Sequence, residues 1–241
     1  MTTIQPAKSD IDINKLAKLL GGTSPATFSC ATIKKTKVWQ KKLAEVAKPR
    51  IGYKTFSIRP SNGSLQIEDG VGFTSIKASK MLNSCTGLIC FAATIGSTIE
   101  EKIARMMAKN RFSDAYILDA IGSVAVENVV EQFHHSMKRK MRAVGRDVTY
   151  RLSPGYCDWP LQEQKKLFKL LDTEKIGIGL TDSCLMQPRK SVSGIFGILK
   201  SSADMTSATL NPCSYCSKRD CSARRTGPSV ADYKTALFRT S

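Results

Sequence analysis

The spacing of apolar residues along the chain predicts helices and strands that follow one another without a regular alternation. The periodic segments that predict helices are residues 10–20, 31–48, 97–110, 113–142 and 161–173. The alternating or continuously apolar segments that predict strands are residues 55–73 (as a hairpin), 87–93, 177–180 and 191–198. Such an irregular mixture is typical of the α+β class.

Local signals refine these elements. Asn62-Gly63 between two alternating runs predicts a tight hairpin turn. Ser97 and Glu100 match a capping box, in which each side chain accepts a hydrogen bond from the other residue's amide. The segment 113–142 contains no proline, and its apolar residues include Ile117, Ile121, Val124, Val126, Val130 and Phe133. We expect one long helix there.

The second half of the chain carries a dense series of motif residues, which begins with Arg151-Leu152-Ser153-Pro154-Gly155-Tyr156. The series continues with Pro160, Leu170-Leu171-Asp172, Glu174-Lys175, Gly177, Leu180-Thr181, Met186, Pro188 and Ser191-Val192-Ser193-Gly194. Its upstream members are Thr94-Ile95-Gly96, Leu118-Asp119-Ala120 and Glu127. The series resembles the activation domain of cobalamin-dependent methionine synthase, in its stand-alone form, over most of residues 10–200.

The resemblance implies a fold over residues 1–200 with a twisted, mainly antiparallel sheet flanked by helices. It also implies a task. Domains of that family bind S-adenosylmethionine and present its methyl group to cobalamin that has oxidised to cob(II)alamin. One electron and the methyl group together restore methylcobalamin.

By the same resemblance, the cofactor-binding residues are Glu131, Arg151, Ser153, Pro154, Gly155, Tyr156 and Val192, and no catalytic side chain is implied. The chemistry of these residues suits the task, because the fork of Arg151 matches a carboxylate and the ring of Tyr156 offers a face for adenine. Glu131 falls near an apolar stripe and needs a cation, either from the ligand or from a basic residue. An ordinary ion pair of Arg151 and simple packing of Tyr156 are the structural alternatives.

The chain departs from the fused members of the family. Cys157 stands in place of the loop's proline and Trp159 in place of its cysteine, and no counterpart of a later tyrosine segment follows Ile198. The cobalamin motif Asp-x-His-x-x-Gly is absent, since the chain's two histidines are His134 and His135. We therefore expect cobalamin to be supplied by a partner, which is a corrinoid-binding protein or methyltransferase.

The formal charge of +17 over 241 residues favours an acidic partner. Nucleic acid is the weaker interpretation, because the basic residues are spread and no helix-turn-helix, RNA-binding or zinc-finger pattern accompanies them. No apolar run reaches the roughly 18 residues of a membrane span, and the polar N-terminus lacks a signal-peptide pattern. These features predict a cytoplasmic protein outside the membrane.

Residues 201–241 form a predicted cysteine-rich tail. Cys213, Cys216 and Cys221 have the spacing C-x2-C-x4-C, which places three soft ligands within reach of one metal centre. A [4Fe-4S] cluster is the favoured interpretation, zinc is a second, and thiols without a metal are a third. The fourth ligand is uncertain, with Cys157 and Cys184 as candidates.

Together these features predict a stand-alone reactivation protein for a corrinoid methyltransferase. It is a component of methionine synthase activity, or of a related methyl transfer, and not a complete enzyme. We expect an electron donor such as a flavodoxin or ferredoxin. One alternative is an iron–sulfur electron-transfer partner of a corrinoid protein without methyl-donor binding, and another is a basic nucleic-acid-binding protein.

Overall fold

Helices and strands follow one another in a mixed order in the computed structural model, which describes residues 2–4, 11–22, 24–61, 64–67 and 70–204. The α-helices found there are α1 (Ile13–Leu19), α2 (Cys30–Val46), α3 (Ile76–Leu82), α4 (Thr98–Ala108), α5 (Phe112–Arg142) and α6 (Gln164–Leu170). The strands found there are β1 (Thr2–Ile4), β2 (Arg50–Ser61), β3 (Ser64–Ile67), β4 (Gly72–Thr74), β5 (Cys85–Thr94), β6 (Gly179–Leu180), β7 (Met186–Gln187) and β8 (Ser191–Leu199).

One sheet has the strand order β4-β3-β2-β5-β8, and β1 pairs with β2. The pairs β1–β2, β2–β3 and β3–β4 are antiparallel, and β6 and β7 form a separate antiparallel pair. Ser61 lies opposite Ser64, so the predicted hairpin is confirmed, although its turn residues 62–63 lie outside the described residues. The predicted α+β class with a mainly antiparallel sheet is confirmed.

Strand β5 is buried on both faces. Each residue from Gly87 to Thr94 is buried, and Phe91 is inaccessible to solvent. Its ring packs against that of Phe196 in β8, with 5.9 Å between the ring centroids. A strand covered on both faces needs a continuous apolar run, which explains why its sequence does not alternate.

Helix α5 runs for 31 residues, and the long helix predicted over residues 113–142 is confirmed. The six apolar residues that the sequence analysis named in this helix are all buried, and Ile121 and Val130 are inaccessible. Because these residues cover a wide arc, the helix is buried on more than one side. Neither α5 nor any other helix in the described part of the chain is long and apolar enough to cross a membrane.

Helix α4 begins where the sequence predicts, but the predicted capping box is wrong. Ser97 has helical backbone angles and makes no side-chain cap hydrogen bond, and its hydroxyl donates to the Glu101 carboxylate at 3.1 Å. The Glu100 carboxylate accepts a hydrogen bond from the amide of Lys190 at 2.9 Å. The Glu100 side chain, which a capping box would pair with Ser97, is thus bonded instead to Lys190, a residue distant in sequence.

Helix α3 was not among the predicted elements. It has seven residues, and its start is capped by the Ser75 hydroxyl, which accepts a hydrogen bond from the Ala78 amide at 3.0 Å. Helices of two turns are marginal without tertiary packing, so their local signal is weak. Met81 and Leu82 supply that packing, since both are buried.

The chain divides into two compact units, each built from three segments. Unit 1 comprises Met1–Tyr53, Ala92–His134 and Leu171–Val192. Unit 2 comprises Lys54–Phe91, His135–Leu170 and Ser193–Ser241. The domain boundary that the sequence predicts at residue 200 lies near the end of the described residues and stays a prediction.

Candidate functional site

The segment that begins at Arg151 runs beside strand β8 in unit 2. Leu152 and Ile195 exchange two backbone hydrogen bonds, each 2.8 Å between nitrogen and oxygen. Such an exchange fixes the register of antiparallel neighbours, and successive side chains then alternate between the two faces. Arg151 and Ser153 therefore share one face, whereas Leu152 points to the other.

Gly194 permits the close approach of this segment to β8. A Cβ atom at this position would lie 2.4 Å from the carbonyl oxygen of Leu152 and 2.9 Å from the hydroxyl oxygen of Ser153. The first of these contacts is with backbone, which cannot rotate away as a side chain can. Glycine is thus the residue that fits here, a requirement that the sequence alone did not reveal.

The predicted binding residues of this segment differ in exposure. Arg151 is only 8% exposed and Pro154 is buried, whereas Ser153 is half-buried. Gly155 is exposed, and Tyr156 keeps 50% of its surface in contact with solvent. The ring of Tyr156 is therefore not a core packing element, and the segment passes from a buried cation to an exposed aromatic face.

A tight turn shapes the end of the segment. Gly155 has a φ of +87°, in the left-handed region that favours glycine, and its amide donates to the Trp159 carbonyl at 2.8 Å. The Trp159 amide donates back to the Tyr156 carbonyl at 3.1 Å. These bonds close a loop, residues 153–159, which we call the motif loop.

Trp159 anchors the motif loop within unit 2. It is 3% exposed, and its ring meets that of Phe73 edge-on, with 5.2 Å between centroids and 73° between planes. This geometry is favourable for two aromatic rings. The indole Nε1 is buried without a hydrogen-bond partner among the described residues. The motif loop therefore holds a hydrogen-bond donor that an acceptor atom outside those residues could satisfy.

Asp158 is the second anchor of the motif loop. Its carboxylate accepts hydrogen bonds from the Ser75 hydroxyl at 2.7 Å and from the Lys77 amide at 3.1 Å, at the start of α3. Partial burial acts to raise the pKa of Asp158, but these hydrogen bonds outweigh it and hold that pKa below its ordinary value. The charged carboxylate therefore ties the motif loop to α3.

We expect Asp158→Asn to lower the free energy of unfolding by about 1 kcal/mol near neutral pH. A carboxyl whose pKa is depressed on folding stabilises the fold above its unfolded pKa, and this contribution is lost as pH falls through the folded value. Urea titrations at pH 7 and below about pH 3 measure the difference. It should be clear at the higher pH and shrink at the lower, whereas Asp182→Asn, in an exposed turn, should have little effect at either. A difference that does not depend on pH contradicts this role of Asp158.

Glu131 belongs to unit 1, on α5. Its carboxylate lies 3.1 Å from the ammonium of Lys15 on α1, and 41% of its side chain is exposed. The chain itself thus supplies the cation that the sequence indicated. Glu131 is thus only partly buried, although Val130 and Phe133 beside it on α5 are buried.

Val192 also belongs to unit 1, at the start of β8, where Lys190 fixes the chain. The Lys190 ammonium is buried and lies 2.7 Å from the Asp119 carboxylate and 2.9 Å from the Ser123 hydroxyl on α5. Its carbonyl accepts hydrogen bonds from the Ile95 amide and the Thr94 hydroxyl at 3.2 and 3.3 Å. One lysine thus joins β5, α5 and the start of β8, a role absent from the sequence predictions.

The predicted binding residues are therefore distributed over both units. Arg151, Ser153, Pro154, Gly155 and Tyr156 lie together in one continuous segment of unit 2. Glu131 and Val192 are placed in unit 1, on separate elements. Their assignment as ligand contacts stays a prediction.

The roles predicted for the cysteines stay predictions. Cys213, Cys216 and Cys221 lie outside the described residues. Cys157 is exposed and has a φ of +57°, whereas Cys184 is buried at 4% exposure. Among the residues that the structure describes, no three or more His, Cys, Asp or Glu side chains form a group suited to a metal ion.

Two further thiols lie in unit 2, in β5. Burial, with a smaller contribution from Asp204, raises the pKa of Cys85 to about 12, and burial alone raises that of Cys90 strongly. Thiolates bind metals and react as nucleophiles, whereas these thiols stay protonated at neutral pH. Both are therefore packing residues of the sheet.

Comparison with known proteins agrees with the fold and the motif series. A crystal structure of the MetH reactivation domain bound to AdoHcy matches with a TM-score of 0.65 and 17% identity, over 85% of this chain and 79% of that chain. The fold is thus that of a reactivation domain. Residues 73–208 match the family described as vitamin B12 dependent methionine synthase, activation domain, and the chain belongs to this family. None of the curated proteins matches the sequence.

Proposed function

We propose that this chain binds S-adenosylmethionine and supports the reductive methylation of cob(II)alamin held by a partner protein in the cytoplasm. The observation that carries the proposal is the buried Arg151 beside the motif loop, in a chain of the activation-domain family. The structural neighbour bound to AdoHcy supports the same ligand class, because AdoHcy is the demethylated product of the donor.

The predicted binding residues have separate tasks in this proposal. Arg151 binds the carboxylate of the donor through its planar guanidinium fork. This charge-assisted pairing is stronger where water is excluded. The backbone of Gly155 and the half-exposed ring of Tyr156 receive the adenosyl part. Glu131 and Val192 are proposed as further contacts, with the Glu131 carboxylate facing the ammonium or sulfonium of the donor in competition with Lys15.

The chemistry resides in the two substrates. When cobalamin is present on the partner, one electron reduces its cobalt, whose electron pair then takes the methyl group as the carbon–sulfur bond of the donor breaks. The chain's residues hold and orient the donor and exclude competing reactions, so no nucleophilic side chain is needed. The protein is in this sense a component of methionine synthase activity.

Calorimetric titration with S-adenosylmethionine tests the proposal directly. The purified chain is titrated alone and in the presence of a corrinoid-binding protein loaded with cob(II)alamin. We expect saturable binding in at least one arm, and tighter binding with the partner if docking completes the site. The absence of measurable binding in both arms rejects the proposed function.

We also propose that Cys213, Cys216 and Cys221 hold an iron–sulfur cluster that passes the electron. Their C-x2-C-x4-C spacing supports this, as do the basic neighbours that favour thiolates. Cys157 is the more suitable fourth ligand, because it is exposed whereas Cys184 is buried. Without a cluster, the electron comes from a flavodoxin or ferredoxin.

Anaerobic iron and acid-labile sulfide analysis of the full chain tests the cluster. We expect iron and sulfide in equal amounts and a visible charge-transfer band, both lost in a Cys213→Ala, Cys216→Ala double variant. Cys30→Ala, at an exposed thiol of α2, is the control and should retain both. Zinc alone, or no metal after reconstitution, rejects the cluster and leaves donor binding unaffected. If instead the cluster is present but donor binding is absent, the chain acts as an electron-transfer partner.

A further inference from the structure

A concave surface of unit 1 collects basic side chains from three parts of the chain. Its cavity has a volume of about 340 Å³. Five cations line it, namely Lys42 of α2, Lys102 and Arg105 of α4, and Lys109 and Arg111 between α4 and α5. Glu101 is the acidic residue of the lining. We call this cavity the basic pocket.

Two of these cations lie over the ring of Trp39. Its indole is 4% exposed and donates from Nε1 to the Asp114 carboxylate at 3.2 Å, so the ring is fixed. The ammonium nitrogens of Lys42 and Lys102 lie 5.3 and 5.6 Å from the centre of that ring. Each cation–π contact is favourable and offsets part of the repulsion between the two ammonium groups.

The carboxylates near the basic pocket leave most of its charge uncompensated. Glu101 lies 3.9 Å from Arg105, and Asp114 lies 3.4 Å from Arg111. Among the described residues, the remaining cations of the pocket, Lys42, Lys102 and Lys109, make no ion pair. A concave site with several such ammonium groups attracts a multiply charged anion more strongly than a flat surface does.

We propose that the basic pocket binds a small anion with several clustered phosphate groups, the chemistry shared by inorganic triphosphate and a nucleoside 5′-triphosphate. The cavity is near the lower limit for small-ligand sites, so it suits a phosphate chain. A docked protein would instead need a broad surface. Because Trp39 is buried, it forms the floor of the pocket and offers no face for stacking a base, so the phosphates carry recognition.

Titration of the full chain with sodium triphosphate and with ATP tests this proposal. The test variant combines Lys42→Gln with Lys102→Gln, and the control combines Lys34→Gln with Lys37→Gln, at exposed positions of the same helix. We expect Kd to rise about tenfold or more in the test variant and less than twofold in the control. The anion should also raise the Tm of the unsubstituted chain and of the control, but not of the test variant.

The outcomes separate the proposal from its competitors. Equal affinity for triphosphate and ATP, or tighter binding of ATP, supports the pocket and tells whether the nucleoside adds contacts. No heat and no rise in Tm with either anion overturns it. Equal weakening in both double variants also overturns it, since the charge would then act diffusely. Binding of a DNA oligonucleotide that triphosphate does not displace assigns the basic surface to nucleic acid instead.

Discussion

Arg151→Ala should weaken the binding of S-adenosylmethionine by about 100-fold, because a forked pair of charge-assisted hydrogen bonds to the donor carboxylate is lost. AdoHcy carries the same carboxylate without the sulfonium charge, so its affinity should fall by the same factor. Calorimetry with both ligands measures the two losses. Arg139→Ala, at an exposed position of α5, is the control and should bind both ligands normally.

Arg151 is buried, and its removal also affects the fold, so the binding loss needs a second variant. Arg151→Lys keeps the positive charge but not the planar fork. We expect it to restore stability more fully than binding, with thermal melts reporting the first and calorimetry the second. Unchanged donor affinity in Arg151→Ala contradicts the proposed role of Arg151. A loss confined to S-adenosylmethionine contradicts the assignment of Arg151 to the carboxylate.

Gly194→Ala should destabilise unit 2 by about 2–4 kcal/mol, because the added methyl group overlaps the Leu152 carbonyl oxygen at 2.4 Å. The overlap is with backbone, so relief requires the segment that begins at Arg151 to move away from β8. Denaturant titration measures the loss of stability, and hydrogen exchange at the Leu152 and Ile195 amides detects the opened pair.

Gly179→Ala is the matched control for this prediction. Gly179 lies in the short strand β6, and a Cβ atom there would meet no atom within 4 Å. We expect a change in stability below about 0.5 kcal/mol. If both variants change stability by the same amount, the close fit of the segment against β8 is not the reason why position 194 needs glycine. If Gly194→Ala also lowers donor affinity, the register of the segment contributes to the site.

The local pattern of apolar residues predicted most helices and strands, because long periodic segments give strong signals for one type of secondary structure. Helix α5 and strand β5 were predicted within a few residues, because 31 helical positions and a continuous apolar run both give strong signals. Helix α3 was missed because seven residues rarely form a helix without tertiary support. The capping box was predicted wrongly because the Glu100 carboxylate accepts a hydrogen bond from the amide of Lys190, which is distant in sequence.

The motif loop itself was recognised from its residues, but the contacts that hold it were not predictable. Asp158 reaches Ser75 across more than 80 positions of sequence, and Phe73 meets Trp159 over a similar distance. The need for glycine at position 194 depends on the register with Leu152, which only the folded chain fixes. Sequence thus indicated which residues matter, and folding determined what supports them.

The burial of Lys190 has a practical consequence for changing the charge of the protein. Lys190 and Arg151 are the two buried cations among the described residues, and the Lys190 ammonium lies 2.7 Å from the Asp119 carboxylate. The other described lysines and arginines keep more of their surface in solvent. Much of the positive charge on the described residues therefore lies at the surface. Exposed lysines and arginines of α2 and α5 can be replaced to lower the charge, provided that these two cations stay and that Arg142, which lies 3.0 Å from the buried Asp147 carboxylate, is also kept.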